Sequence, residues 1–334
     1  MSNSTLKYIG KRLVISLITL FVILMVLFLM VKFLPGSPIN NEKLSASARA
    51  AIEAQYGLDK PIPVQFVRYI QNMLTGDFGV SFNLYKDMQV SSLVGSAAKL
   101  SMIYGLCAVI IGTVIGMFLG VFAALHKNTI WDTIATVISV IGVSIPSFVF
   151  AMLILLLFAS KLRLLPTSYS SSNAIKSSIM PILALSVGVI ANVARFTRTE
   201  MVSVLTSEYM TLAKAKGLDR KTLIFKHALR NALIPVITIL GPILVNLMTG
   251  TMVVEKICSV PGLGKLLINS ILSNDYNIIL ACSFLYAAMY IFMMLIIDIS
   301  YGIIDPRILP VSLLFIQTTS KTDKIAVPSD KIIL

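Results

Sequence analysis

Apolar residues gather in six long stretches of this chain, and polar residues collect between them. The stretches are 13–33, 99–125, 131–160, 179–195, 232–254 and 278–304. A helix of about 17–25 apolar residues crosses the hydrocarbon core of a bilayer. A backbone without water must also satisfy its own hydrogen bonds, which a helix does. Each stretch is therefore predicted to be a spanning helix. The first is too long for a signal peptide and has no small-residue cleavage site, so it reads as an uncleaved helix. Pro35, Gly36 and Pro38 stop it.

The polar stretches then organise the map. Residues 1–12 form a short basic N-terminus, and residues 34–98 form a small domain outside the membrane with short helices predicted over 45–55 and 63–74. Residues 161–178 are a serine-rich loop and residues 255–277 a second external loop. Residues 196–231 form a basic island between the fourth and fifth spans, and residues 305–334 form a tail to which no role is assigned beyond Leu309. Inside the second span, Gly112, Gly116 and Gly120 repeat every four residues and line one face. Such a face lets helix backbones approach closely in lipid. Pro146 is predicted to kink the third span, Pro181 and Pro235 to open the fourth and fifth, and Pro242 and Asn246 lie inside the fifth.

Composition narrows the class. Apolar residues make up 57% of the chain and mean hydropathy is +0.88, above the roughly 45–50% apolar share of soluble domains. The net charge of +13 suggests nucleic acid only until the basic residues are located. They sit in loops beside spans, where topology accounts for them. With the N-terminus inside, the inner segments hold sixteen Lys and Arg against five in the short outer loops. This bias predicts both termini in the cytoplasm.

Candidate chemistry is sparse. Cys107, Cys258 and Cys282 have neither metal spacing nor a disulfide framework. His126 and His227 are far apart, so no metal site is expected. Gly262, Gly264 and Lys265 hint at a phosphate loop, but Ser259 stands where its first glycine belongs and Leu266 where it needs Ser or Thr. Asp298 is the one acid well inside the last span; it sits near Arg307 in sequence, and an ion pair or snorkelling to the interface is the expected role. No nucleophile elbow, zinc motif or catalytic carboxylate pair is visible, so no catalytic residue is expected and the chain is read as not itself an enzyme.

The island carries the most specific pattern. Residues 195–230 hold eight of the 28 Lys and Arg residues. Two short helices are predicted, the first begun at Thr206, Ser207 and Glu208 with hydroxyl caps and ended by Gly217. Asp219 caps the second, over 220–229. Ala213, Gly217 and Leu229 stand where the coupling motif E-A-A-x-x-x-G, nine residues, I-x-L-P has its second Ala, its Gly and its Leu. Thr211, Leu212, His227 and Arg230 replace the other motif residues. The strings YMTLAKAKG at 209–217 and HALRNALIP at 227–235 resemble the peptide/nickel branch of ABC importer permeases. YGLDKPIPVQ at 56–65, GDFG at 76–79, KYI at 7–9, PGSP at 35–38 and the closing DPRI at 305–308 resemble the B-type subunits of oligopeptide and dipeptide importers.

That resemblance implies an all-α membrane protein of the type I ABC importer permease fold, N-in and C-in, with the transmembrane domain over 95–305. It implies ATP-driven import of oligopeptides or dipeptides, with no cofactor on this chain. ATP and Mg would belong to two partner ATPase subunits. A second homologous permease, an extracytoplasmic peptide-binding protein and membrane lipid are the other expected partners, and no nucleic acid is. Glu208, Tyr209, Ala213, Lys216, Gly217 and Leu229 are the expected ATPase-coupling residues. Glu255, Pro261, Gly262 and Gly264 are expected in the loop that faces the binding protein. Nickel or a metal chelate is the alternative cargo. A proton- or sodium-driven carrier is the alternative from another class; broken midplane helices and inverted repeats would mark it, and no convincing repeat is visible.

Overall fold

The computed structural model describes residues 3–33, 54, 57 and 59–304, excepting the side chains of 3–8, 245, 246, 248–251 and 300–304. The helix expected over 45–55 lies outside the described residues. Among the described residues the regular structure is helical, with one isolated antiparallel bridge between Val80 and Gln89. The helices are α1 (Asn3–Phe33), α2 (Ile62–Leu74), α3 (Val90–Leu125), α4 (Ile130–Ser144), α5 (Ser147–Ile154), α6 (Ala174–Leu205), α7 (Glu208–Ala215), α8 (Arg230–Ile257), α9 (Leu263–Leu272) and α10 (Tyr276–Ile304). Five helical stretches are long and apolar enough to span by themselves, and the bent pair α4–α5 makes a sixth. Their outward faces expose large apolar side chains such as Leu17, Phe118 and Ile138, which suit lipid.

The longest seam joins α3 to α6. A Cβ added to Gly112 would lie 2.5 Å from Val189 Cβ, one on Gly116 2.8 Å from the Ile190 carbonyl oxygen, and one on Gly120 2.6 Å from the Ala194 carbonyl oxygen. The glycine repeat is thus a close-packed seam, and the two helices are held as one body. Likewise a Cβ added to Gly142 of α4 would lie 2.7 Å from Ala191 Cβ of α6. Without a hydrophobic drive between helices in lipid, such contact is what holds them together. One buried ion pair adds to it: Arg198 Nε and Nη2 donate to Asp132 Oδ1 and Oδ2 at 2.5 and 2.7 Å. The Asn128 N–H also donates to Asp132 Oδ2, at 3.0 Å. The two-pronged geometry is the strong form of an Arg–carboxylate contact.

At one end of the bundle, α1 meets α10 and α2. Phe28 packs on Phe66 and Tyr69 with ring centroids 5.3 and 5.8 Å apart. Here Asp275, before α10, accepts from Ser81 Oγ at 2.5 Å and from the N–H groups of Asn83 and Leu84 at 3.0 Å. The polar segment before α3 is thereby tied to the start of the last helix. At the other end Arg12 of α1 pairs with Asp298 of α10 at 3.1 Å. Asp298 therefore finds its partner on the first helix; Arg307 lies outside the described residues.

Several expectations change. The third span is not kinked but broken: α4 and α5 meet at 103°. Ile145 is extended (φ −89°, ψ 125°), as a residue before proline prefers, and Pro146 has no N–H to continue the ladder. Pro181 lies inside α6, and Pro235 inside α8, so neither opens its helix. The helix after Asp219 runs through a π-helical turn, Thr222–Leu229, straight into α8. The second short helix of the island is thus the beginning of the next long one. The outer loop is also not irregular throughout, since α9 fills its middle.

Candidate coupling surface and outer loop

The island folds as a short helix lashed onto the bundle. α7 begins at Glu208 without a side-chain cap. The Thr206 and Ser207 hydroxyls instead donate back to the carbonyls of Val202 and Val204, at 2.9 and 2.6 Å. Gly217 ends it as expected, with φ +79° and its N–H on the Lys214 carbonyl at 3.0 Å. A Cβ there would meet nothing within 4 Å, so the glycine is needed for its left-handed backbone and not for space. Asp219 caps the next turn: the N–H groups of Lys221 and Thr222 both donate to Oδ2 at 3.1 Å.

Two contacts fix α7 in place. Met210 is fully buried among Ala124, Met201, Leu223, Ala228 and Ala232, which come from α3, α6, the π turn and α8. Asn231 Nδ2 donates to the Tyr209 hydroxyl at 3.0 Å. Ala213 and Leu229 pack against the same cluster from its edge. Glu208, Tyr209, Lys216 and Gly217 lie on the exposed side. Leu212, Leu218 and Phe225 are exposed beside them, among Lys214, Arg220, Lys221 and Lys226. The six expected coupling residues therefore divide into an anchoring pair and an outward-facing four. Met210 and Asn231 were not anticipated. A lone Met at helical spacing from Met201 and an Asn beside an apolar run are weak signals, and only the fold brings them together.

The loop over 255–277, expected outside, is built the opposite way. Glu255 is fully buried, and its carboxylate caps the start of α9. Oε2 accepts the Gly264 N–H at 2.8 Å, and Oε1 accepts from Ser101 Oγ at 2.6 Å. Ser101 in turn accepts the Leu263 N–H at 2.8 Å. A carboxylate at a helix N-terminus meets free donors and the positive end of the helix dipole. Gly262 and Gly264 are needed for space and not for positive φ. A Cβ on Gly262 would sit 2.4 Å from the Glu255 carboxyl carbon, and one on Gly264 2.3 Å from Met252 Cα. Glu255, Gly262 and Gly264 are buried, and only Pro261 of the four expected loop residues is exposed. Three of them therefore shape the loop from beneath. Ser101, the one serine in the apolar stretch 99–125, is the partner that sequence reasoning passed over.

The comparisons agree with this architecture. The family model for binding-protein-dependent transport system inner membrane components matches residues 116–310, and its N-terminal companion matches residues 5–87. The chain is 42% identical to the dipeptide transport system permease protein DppB of Lactococcus lactis, over 90% of this chain and 99% of that one. It is 41% identical to the oligopeptide transport system permease protein OppB of Haemophilus influenzae, over 91% and 99%. DppB of Bacillus subtilis is 39% identical over 90% and 97%. Among solved structures, an amino acid ABC transporter with histidines superposes with a TM-score of 0.50 at 15% identity, over 62% of this chain and 92% of that one, which shows a shared fold. The match across the α3–α10 bundle and across the segment before it makes this chain a member of the family of binding-protein-dependent transport system inner membrane components, a multi-pass protein of the bacterial plasma membrane.

Proposed function

We propose that this chain is the permease subunit of an ATP-driven importer for oligopeptides or dipeptides, working beside a second, similar permease. The observation that carries this reading is the near full-length identity to dipeptide and oligopeptide permeases. The exposed α7 surface gives it a mechanism. The basic end of the bundle faces the cytoplasm, which the charge bias of the loops supports. Two partner ATPase subunits, which hold ATP and Mg, receive Leu212, Leu218 and Phe225 in apolar clefts. An extracytoplasmic binding protein delivers peptide at the opposite end, above α9.

Closure of the ATPase pair moves α7. Met210 and the Tyr209–Asn231 hydrogen bond pass that movement to α8 and to the α3–α6 seam. The seam is too tightly packed to absorb it, so packed helices shift as bodies. The path then opens outward, takes the peptide and reverts after hydrolysis. Asp298, the acid that a proton-driven carrier would use, is held by Arg12. The test is uptake of a labelled peptide by proteoliposomes holding this chain, its second permease, the ATPases and the binding protein. Accumulation that requires internal ATP is the expected result. Accumulation that follows a proton gradient without ATP would overturn the reading.

A further inference from the structure

Most glycines of the spanning helices are explained by contact. Gly112, Gly116, Gly120, Gly142 and Gly241 each sit where a Cβ would lie under 3 Å from a neighbour. Gly10 and Gly95, toward the N-terminal ends of α1 and α3, meet nothing within 4 Å, and Gly105 meets only a side chain at 3.8 Å; Gly188 shares that openness. It stands at the middle of α6, and a Cβ there meets nothing within 4 Å. A glycine in a helix costs about 1 kcal/mol relative to alanine, and no close packing accounts for this one.

The open space beside Gly188 is a cleft of about 370 Å³, within the size range of sites that hold small ligands. Gly188, Asn192 and Phe196 line it from one face of α6 at four-residue spacing. Ile239, Pro242 and Ile243 line it from α8, and Ser147 from the break between α4 and α5. The cleft thus sits at the middle of three spanning elements. Its walls are apolar except for two side chains. Asn192 Nδ2 donates to the Gly188 carbonyl at 2.8 Å, and among the described residues no donor reaches its carbonyl oxygen. The Ser147 hydroxyl likewise has no partner among the described residues. Polar groups at this depth in a membrane are costly and stay where they serve a path.

We propose that this cleft is a passage for the transported peptide. The Asn192 carbonyl oxygen accepts a peptide N–H and the Ser147 hydroxyl donates to a peptide carbonyl. Such contacts read the backbone and not the side chains, which suits cargo of mixed sequence, and Gly188 supplies the room. The assignment rests on the peptide-import reading and adds to it the residues that touch the cargo.

The test uses the complete reconstituted complex and a labelled tripeptide. Gly188→Trp fills the cleft without a clash at its Cβ and lowers the number of peptides taken up per ATP hydrolysed by about tenfold (about 1.4 kcal/mol). Asn192→Leu, which keeps the bulk and loses the oxygen, lowers it less. In Gly188→Cys a thiol reagent labels the cleft, and tripeptide supplied with binding protein and ATP slows that labelling; labelling of the native cysteines in the unaltered complex is the control. The cysteine result decides the matter should the tryptophan variant not assemble. Full uptake by Gly188→Trp, or labelling of Gly188→Cys that peptide does not slow, overturns the assignment and leaves the importer reading standing. Absence of ATP-dependent peptide uptake by the unaltered complex removes both.

Discussion

The two ends of this bundle handle polar residues in opposite ways. At the α9 end, Glu255 and Asp275 are buried carboxylates without a basic partner among the described residues, and they are held by hydroxyls and backbone N–H groups. At the basic end, α7 is fastened by one buried side chain and one hydrogen bond, while Leu212, Leu218 and Phe225 stay exposed. The outer loop is thus completed from within, and its α9 shoulder is a fixed part of the wall. The α7 surface is left open, and under the proposed function a partner completes it. The contrast suits an importer that is driven from one side and must keep a defined mouth on the other.

The largest effect expected from breaking this contrast comes from Glu255→Ala. It strands the Ser101 hydroxyl and the Gly264 N–H in a buried place, at a cost on the order of 3 kcal/mol. The measurement is the thermal midpoint of the complex in detergent. Glu255→Gln, which keeps one acceptor, recovers part of the loss. An unchanged midpoint for the alanine variant would mean that the outer loop is not locked as described.

A smaller effect on stability and a larger one on function are expected at the other end. Gly217→Val meets no neighbour, but it places a β-branched residue at φ +79°, costing about 1–2 kcal/mol. The turn after α7 shifts, and peptide uptake falls while the complex still co-purifies. Normal uptake would remove Gly217 from the coupling machinery.

The smallest effect is local and depends on pH. The hydrogen bonds from Thr222, through its side chain and its N–H, hold the Asp219 carboxyl below its ordinary pKa. A depressed carboxylate contributes in full above the ordinary Asp range, and its contribution is lost as pH falls through the lowered value. Protection of the Lys221 and Thr222 amides from hydrogen exchange, taken relative to their intrinsic rates, should therefore be lost only in acid. Asp219→Asn should abolish that acid dependence.

Much of this was legible in the chain because single helices in lipid write themselves locally. Apolar length placed the spans, Gly217 and Asp219 marked the end of α7 and the start of the next helix, and the glycine repeat named the face that α6 covers. Proline was the misleading signal. Pro181 and Pro235 read as helix starts, yet α6 and α8 run through them, because neighbouring helices can support a proline inside a spanning helix. Pro146 read as a kink, yet the chain turns by 103° there. The strength of a break depends on what the two halves pack against, and here both pack on α6.

What the sequence alone determined is the class: a chain with this apolar length and spacing, and with basic residues confined to its loops, belongs in a membrane as a helical bundle. Its motifs also marked the segment that the proposed function assigns to coupling. Tertiary structure decided the partners. Asp298 goes to Arg12, Asp132 to Arg198, Glu255 to Ser101 and Asp275 to Ser81. Three of these four pairs are separated by more than 150 residues. A buried polar group must find a partner, but nothing in local sequence says which one. That choice is made only when the helices pack and bring distant turns to the same depth.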